Sequence, residues 1–267
     1  MKFTNQSINQ SSYFAGFILF VYDTHLIYER VNAMKNKGLI FGLVTIVGLV
    51  GCGGGGGGGS TAAQPVKSFK GDGLYVNPAD LSVMLVDSKR SKNNLIVGDF
   101  ANDSIYFVDT ATTTETSMTT KGIKLANSSA FVQNSTQVMN AKFDKAIVTL
   151  TSVFNGTNLV YSMNKTAASL PIGQITGTHT NPSDGSTWTI NSDGTFAVNG
   201  VCSITGKLVR NGEYFNVDNA TAVSCSQSSL NGTYNGVLLT VKHNGKDYIA
   251  GLLGNDTGLL YGNAPKS

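Results

Sequence analysis

The stretch that decides the fold is GTYNGVLLTVKHNGKDYIAGLLGNDTGLLYG, residues 232–262. Two turn signals, Asn244-Gly245 and the segment 255–258, separate three runs that are rich in branched apolar and aromatic side chains. Asn-Gly between such runs favours a two-residue type I′ hairpin turn. The pattern therefore predicts three consecutive antiparallel strands.

The same pattern of short runs and turns extends back to residue 172. Trp188 and Ile190 alternate with polar residues, 192–194 is a turn signal, and Asn211-Gly212 is a second Asn-Gly hairpin signal. We expect eight or nine strands in about 95 residues, which leaves no room for crossover helices. A small antiparallel up-and-down barrel fits best, because closure removes exposed edges.

The N-terminal half has weaker strand signals. Asn155-Gly156 predicts a hairpin, and the Thr-rich stretch 109–121 predicts either a long edge strand or a mobile loop. Five runs predict strands: 81–86, 95–100, 105–108, 146–150 and 159–161.

Two architectures fit these strands. One is a second barrel, joined to the first near 165–171; the other is a single sandwich that spans both halves. The similar lengths of the halves and the linker-like segment 166–169 favour two barrels. We therefore predict an all-β chain with two small antiparallel up-and-down barrel-like domains, 71–165 and 171–267.

An export signal precedes these domains. Lys35 and Lys37 are followed by 13 uncharged, mostly apolar residues, 38–50. That run is too short for a membrane span, which takes about 20 residues, and fits the apolar region of a signal peptide. It ends in Leu49-Val50-Gly51-Cys52, which resembles the lipobox of bacterial lipoproteins. The alternative is a short buried helix with a core cysteine.

The lipobox resemblance implies a signal peptide over 34–51 and a diacylglyceryl-modified, acylated Cys52 that anchors the chain in a membrane. Gly53, where the family uses Asp for inner-membrane retention, implies the outer membrane, on its periplasmic face or at the cell surface. Residues 52–70, with seven consecutive glycines, predict a flexible tether spanning roughly 20 Å. Residues 1–33 are either an upstream start artefact or an unusually long n-region, and they carry no fold prediction.

Cys202 and Cys225 remain once Cys52 is assigned to lipid. An even pair in an exported protein predicts a disulfide. A hairpin that turns at Asn211-Gly212 brings the two cysteines almost opposite each other, with Val217 and Val223 on the core side. The alternative is a pair of buried free thiols.

The C-terminal half also has a family pattern. Gly200-Val201-Cys202 opens a strand, Cys225 follows, and Gly232-Thr233-Tyr234-Asn235-Gly236 starts the Leu- and Gly-rich end. This order resembles an uncharacterised family of β-barrel lipoproteins from Acinetobacter and Burkholderia relatives. His179 departs from the aromatic residue usual in that family. The resemblance implies a β-barrel lipoprotein module and no particular chemistry.

Charge and composition exclude several classes of function. The net charge is +3, and from Cys52 onward 15 Lys and Arg face 14 Asp and Glu, which argues against nucleic-acid binding. With three His and three Cys in the whole chain, we expect no metal and no cofactor. His243 is predicted to be a solvated hairpin tip. Turn chemistry explains the candidate carboxylates Asp99, Asp103, Asp184 and Asp193. His179 lies at a strand end before Asn181-Pro182, and we expect no enzyme activity.

We therefore expect an outer-membrane lipoprotein whose barrels bind a macromolecular partner, either a protein or a surface polymer. One alternative is a carrier of a small apolar ligand, with Trp188, Phe196 and Tyr214 around a cavity. The other is a periplasmic inhibitor or immunity protein. For these three aromatic residues, an ordinary core is the simpler interpretation.

Overall fold

The computed structural model describes residues 68–127, 130–154 and 157–267. The predictions for Cys52, the signal peptide, the tether up to residue 67 and the Asn155-Gly156 turn lie outside these residues. The chain is almost all β and forms two eight-stranded antiparallel sheets with barrel-like form. The predicted fold class is confirmed.

The first barrel is built from strands that each pair with the next along the chain. It is closed by only two residue pairs between its first and last strands, Tyr75↔Lys165 and Val76↔Asn164. The strands are β1 (Gly73–Val76), β2 (Ser82–Val86), β3 (Leu95–Asp99), β4 (Ser104–Thr113), β5 (Ser117–Asn127), β6 (Ala130–Asp144), β7 (Ile147–Phe154) and β8 (Thr157–Lys165).

The Thr-rich stretch 109–121 differs from both predicted forms. Thr110 pairs with Lys121 and Thr113 with Met118, so the stretch holds the end of β4, a turn and the start of β5. It is neither an edge strand nor a loop. All of its threonines except Thr120 are exposed, so no apolar–polar alternation in the sequence marks the hairpin.

The second barrel follows a connection that contains a short helix. Its strands also pair in chain order. The elements are α1 (Ile172–Ile175), β9 (Gly177–Thr180), β10 (Thr187–Ile190), β11 (Thr195–Asn199), β12 (Ser203–Asn211), β13 (Tyr214–Val223), a 3₁₀ turn (Ser228–Leu230), β14 (Gly232–His243), β15 (Lys246–Gly254) and β16 (Leu259–Pro265).

Side chains join the first and last strands of this second sheet. No ladder joins β9 to β16 among the described residues. The Asn181 side-chain amide donates a hydrogen bond to the Asn263 carbonyl at 3.1 Å, and the Ser267 N–H donates to His179 Nδ1 at 3.1 Å. The sheet therefore wraps round to its own start through two side-chain contacts.

The turn at Asn244-Gly245 is confirmed: both residues have positive φ, 49° and 78°, and the flanking residues pair. The other Asn-Gly prediction is wrong by one residue. Asn211 pairs with Tyr214, so the turn residues are Gly212 and Glu213. Gly212 supplies the positive φ, 55°, at the first of these positions.

Cys202 and Cys225 form the predicted disulfide, with Cα atoms 3.9 Å apart. They lie just beyond Ser203↔Val223, the last residue pair of β12 and β13. Val223 is exposed, however, so the prediction that it faces the core is wrong. An irregularity near Asn219, whose φ is 56°, shifts the alternation of β13.

The interior of the second barrel is tightly filled. The Trp188 ring lies over Gly251, where an added Cβ would be 3.0 Å from the indole, and Phe196 lies over Gly206 in the same way. The void beside these rings has a volume of about 10 Å³, at the lower limit for one water molecule. Trp188 and Phe196 therefore fill a core, and this barrel offers no cavity for an apolar ligand.

A third apolar cluster lies between the two barrels. Outward-facing residues of β1–β4, such as Leu85 and Phe107, pack against outward-facing residues of β13–β16, such as Leu239 and Leu252. Tyr214 belongs to this cluster, which corrects its predicted place beside Trp188. Tyr214 lies on the opposite face of β13 from its neighbour Phe215, whose side chain points into the second barrel.

Candidate functional site

The first barrel is irregular in β6, its longest strand. Between the pairs Lys121↔Val138 and Ile123↔Asn134, three β6 residues lie opposite Gly122 alone. Such bulges bend a strand and re-aim its side chains, and they are common beside functional sites. The bulge therefore indicates that this part of the first barrel is a candidate functional site.

Local hydrogen bonds and a glycine fix the bulge. The Asn134 side-chain oxygen accepts hydrogen bonds from the Thr136 N–H at 2.9 Å and from its hydroxyl at 2.8 Å. On β5, Gly122 has a φ of 81°, and a Cβ there would lie 2.1 Å from the Asp109 carboxylate. The bulge is thus a built feature with a defined shape.

Beyond the bulge, β6 and β7 separate. Their ladder runs from the hairpin turn only as far as Met139↔Ser152. Within the described part of the chain, none of residues 130–138 pairs with β7; 130–134 and 138 pair with β5, and the bulge residues 135–137 pair with neither strand. Nine residues of β6 therefore have no partner on the β7 side.

Gln137 bridges the point of separation. Its side-chain Nε2 lies 2.7 Å from Ser152 Oγ, 3.0 Å from the Val153 carbonyl and 3.2 Å from the Val138 carbonyl. The Ser152 hydroxyl also donates to the Val138 carbonyl, at 2.8 Å. We refer to Gln137, Val138, Ser152 and Val153 as the seam. Here side chains satisfy carbonyls that a continued ladder would pair with backbone N–H groups.

Several exposed apolar side chains lie at the seam or on the strands beside it. Val138, Val153 and Val160 are 44%, 59% and 65% exposed, and Ile147 on the same barrel is 48% exposed. These four are the majority of the six large apolar side chains that are exposed among the described residues. We refer to Val138, Val153 and Val160, which all line the groove along the seam, as the valine face. Exposed apolar side chains grouped together on a folded domain are typical of a contact site.

A groove of about 610 Å³ runs along the seam, and its lining has no charged and no aromatic side chain. Beneath it, the barrel interior is only half-buried at Leu125, Leu159 and Tyr161. The interior space has a volume of about 20 Å³, roughly one water molecule, so the groove and not the interior is the larger opening.

A buried polar cluster forms the floor of that interior space. The Tyr106 and Tyr161 hydroxyls lie 3.3 Å apart, and the Tyr161 hydroxyl donates to Asp99 at 3.3 Å. Burial is the main cause that raises the pKa of both phenols, and the Asp99 carboxylate adds to the rise. Both phenols are therefore neutral hydrogen-bonding groups at physiological pH.

The carboxylates considered as catalytic candidates have local structural contacts. Asp99 accepts hydrogen bonds from Ser82 and from Asn102, and Asp103 accepts one from the Tyr261 hydroxyl at 2.8 Å. These contacts hold the β3–β4 turn in place.

The other two carboxylates stabilise turns of the second barrel. Asp184 accepts from the Ser186 N–H at 2.6 Å, and Asp193 accepts from the Thr195 N–H and hydroxyl. The hydrogen bonds from Thr195 lower the pKa of Asp193.

The two histidines of the described chain are both buried. His179 Nε2 lies 2.9 Å from the Ile175 carbonyl, and its Nδ1 accepts from the Ser267 N–H at 3.1 Å. The prediction that His243 is a solvated tip is wrong, because it is only 9% exposed. It ends the face of β14 that packs on the first barrel, and Nε2 contacts the Asn244 side chain at 2.8 Å.

A second cleft, of about 390 Å³, lies between the barrels. Its floor includes Phe107 and Leu259, and its rim carries charges of both signs. Lys124 of the first barrel pairs with Asp256 of the second at 3.1 Å. Within the described ranges, no group of three or more His, Cys, Asp or Glu could hold a metal ion.

The chain matches no protein-family model, no curated protein and no solved structure, so its function must be inferred from its own residues. In the portion of the chain that the structure describes, no helix has the length and hydropathy needed to cross a membrane.

Proposed function

We propose that this protein is a lipoprotein of the outer membrane, anchored through acyl chains on Cys52, whose first barrel binds a macromolecular partner. The observation that carries the proposal is the valine face beside the seam. Exposed apolar side chains grouped along a groove are typical of a contact surface. The apolar cluster between the barrels holds the first barrel against the second.

The test compares two pairs of valines on the full chain. Val153→Lys with Val160→Lys places charges in the valine face, and Val209→Lys with Val223→Lys does the same at exposed valines of the second barrel. We expect wild type and the second pair to retain material from cell-envelope or host-surface fractions, and the first pair to lose it. Equal retention by both pairs contradicts a binding role for the valine face.

Protease treatment of intact cells then locates the partner. Loss of the barrels places them outside the cell and favours a host molecule or surface polymer. Protection until the outer membrane is broken places them in the periplasm, where an envelope protein is the expected partner. An inhibitor or immunity role is the alternative in that compartment.

A further inference from the structure

We infer that the seam binds an extended segment of a partner polypeptide, which adds to the first barrel as a strand along the open edge of β6. This inference rests on the proposed function and names the kind of partner. It follows from the backbone groups, the space and the side chains at the seam.

The backbone at the seam has the chemistry of an interrupted ladder. The Val138 and Val153 carbonyls accept hydrogen bonds from the Gln137 amide and the Ser152 hydroxyl. A primary amide N–H is chemically close to a peptide N–H, so Gln137 occupies the place that a backbone donor of an added strand would take. Strand addition at a sheet edge uses such main-chain hydrogen bonds for affinity.

The space beside the edge suits an extended chain. The part of β6 without a β7 partner is nine residues long, and its end at 134–138 lines the groove of about 610 Å³ together with residues of β7 and β8. In an added strand, every second side chain would face the valine face. Alternate small apolar side chains would contact Val138, Val153 and Val160.

The lining also defines which segment binds. The groove has no charged side chain, so a charged segment would lose hydration without gaining a counter-charge. Its Asn, Thr and Ser side chains hydrogen-bond to neutral hydroxyls and amides. The expected segment is therefore uncharged and alternates β-branched apolar with hydroxyl residues. The lining offers no aromatic ring on which a sugar could stack, so a polypeptide is favoured over a polysaccharide.

The test uses a dye-labelled peptide of alternating Thr and Val with two Lys at one end. Its control has the same side chains but N-methyl groups on alternate backbone amides. Each is titrated into the full chain in detergent and followed by fluorescence anisotropy and by hydrogen exchange of 130–138. We expect the first peptide to bind and to slow exchange in that segment, and the methylated peptide to do neither.

Two variants sharpen the result. Gln137→Ala frees the Val153 carbonyl for the peptide, while the Ser152 hydroxyl still donates to the Val138 carbonyl, so we expect binding to tighten about three- to tenfold, the effect of about one hydrogen bond. Gln174→Ala removes an exposed glutamine from α1 of the second barrel and serves as the matched control, with unchanged binding.

Equal binding of both peptides, or binding of neither, overturns strand addition. So does a free chain that is already a dimer with slow exchange at 130–138, since a second copy would then fill the edge. If the peptide fails while lysines in the valine face still abolish retention of a protease-resistant polymer, the proposed function stands without this inference. If the peptide binds but those lysines leave retention unchanged, the proposed function fails.

Discussion

The two barrels have equal numbers of strands in the same antiparallel order, yet they are closed in different ways. In the first, every strand pairs with both of its neighbours, but β6 and β7 separate beyond Met139 and the interior is half-open at Leu125 and Leu159. The second has no ladder between its end strands in the described chain, but its interior is sealed around Trp188. Closure by hydrogen bonds and burial of the interior are thus separate properties of a barrel.

This difference assigns different roles to the two barrels. A sealed core with a disulfide supplies stability, while an open side supplies unpaired backbone and exposed valines for binding. The apolar interface couples them, because β1–β4 of the first barrel bury one face against β13–β16 of the second. The open side lies where β6 and β7 separate, at 134–138 and 151–153, while Phe131 and Gln133 in the first part of β6 contact the second barrel.

Two leucines test the comparison with the largest expected effect. Leu253 is fully buried in the second barrel, and Leu159 is half-buried at the open side of the first. We expect Leu253→Ala to lower the free energy of unfolding by about 2–5 kcal/mol and Leu159→Ala by under about 1 kcal/mol. Urea unfolding followed by circular dichroism measures both. Equal losses would show that the first barrel is as tightly packed as the second.

Removal of the disulfide is expected to have the next largest effect. Cys202 and Cys225 are 23 residues apart, and closing a loop of that length stabilises the fold by about 3 kcal/mol in the chain-entropy model. We expect the double variant Cys202→Ala, Cys225→Ala to lose that amount in urea unfolding. Binding at the valine face should remain unchanged at low urea, and a loss of binding would mean that the two barrels are not separate in function.

The second barrel was the more predictable because its strands alternate and its turns carry strong signals. The Asn244-Gly245 hairpin and the disulfide pair both follow from residues in the sequence. The exact turn residues, Gly212 and Glu213, do not follow from the sequence. A turn at Asn211-Gly212 and a turn one residue later both allow β12 to pair with β13, and packing across the whole sheet decides between the two.

The candidate site and the interface were not predicted. β5 and β6 are rich in Thr, Asn and Ser, so no apolar alternation marks the open edge. The interface had a signal: the run 237–241 is almost continuously apolar, which is typical of a strand buried on both faces. That run, with 82–86, would have indicated that the two barrels pack against each other.

Tyr214 tests the interface between the barrels. Its hydroxyl donates to Asp87 at 2.8 Å and accepts from Arg90 at 2.9 Å, so it links the barrels directly. We expect Tyr214→Phe to lower the free energy of unfolding by about 1–2 kcal/mol at pH 8, because buried partners lose a hydrogen bond. Urea unfolding against Tyr248→Phe, which lacks this link, measures the effect.

The same tyrosine gives a pH dependence. Burial, with the Asp87 hydrogen bond as a further cause, raises the pKa of Tyr214 from 10.0 to about 12. The folded chain therefore holds the phenol proton more tightly than the unfolded chain. Its contribution is complete below pH 10 and is lost as pH rises through 12. We expect the stability gap between wild type and Tyr214→Phe to close over that range, and a constant gap contradicts the account.

The smallest effect is expected at the ion pair across the interface. Asp256 is fully exposed, so solvent screens its contact with Lys124. Lys124 also donates to the Asn255 carbonyl at 3.2 Å, so the ion pair is tested from its exposed side. We expect Asp256→Ala to change the free energy of unfolding far less than Tyr214→Phe. A loss comparable to that of Tyr214→Phe would mean that charge, and not the apolar cluster, holds the barrels together.

Hydrogen exchange of the free full chain tests the open side of the first barrel most directly. In 130–134 and at 138, alternate amides face β5 and the side that lacks a β7 partner, so about half of these amides should exchange rapidly. The segments 118–121 and 236–238, whose residues pair with strands on both sides, should stay protected. Protection of 130–134 equal to that of 236–238 would contradict an open edge in the free protein.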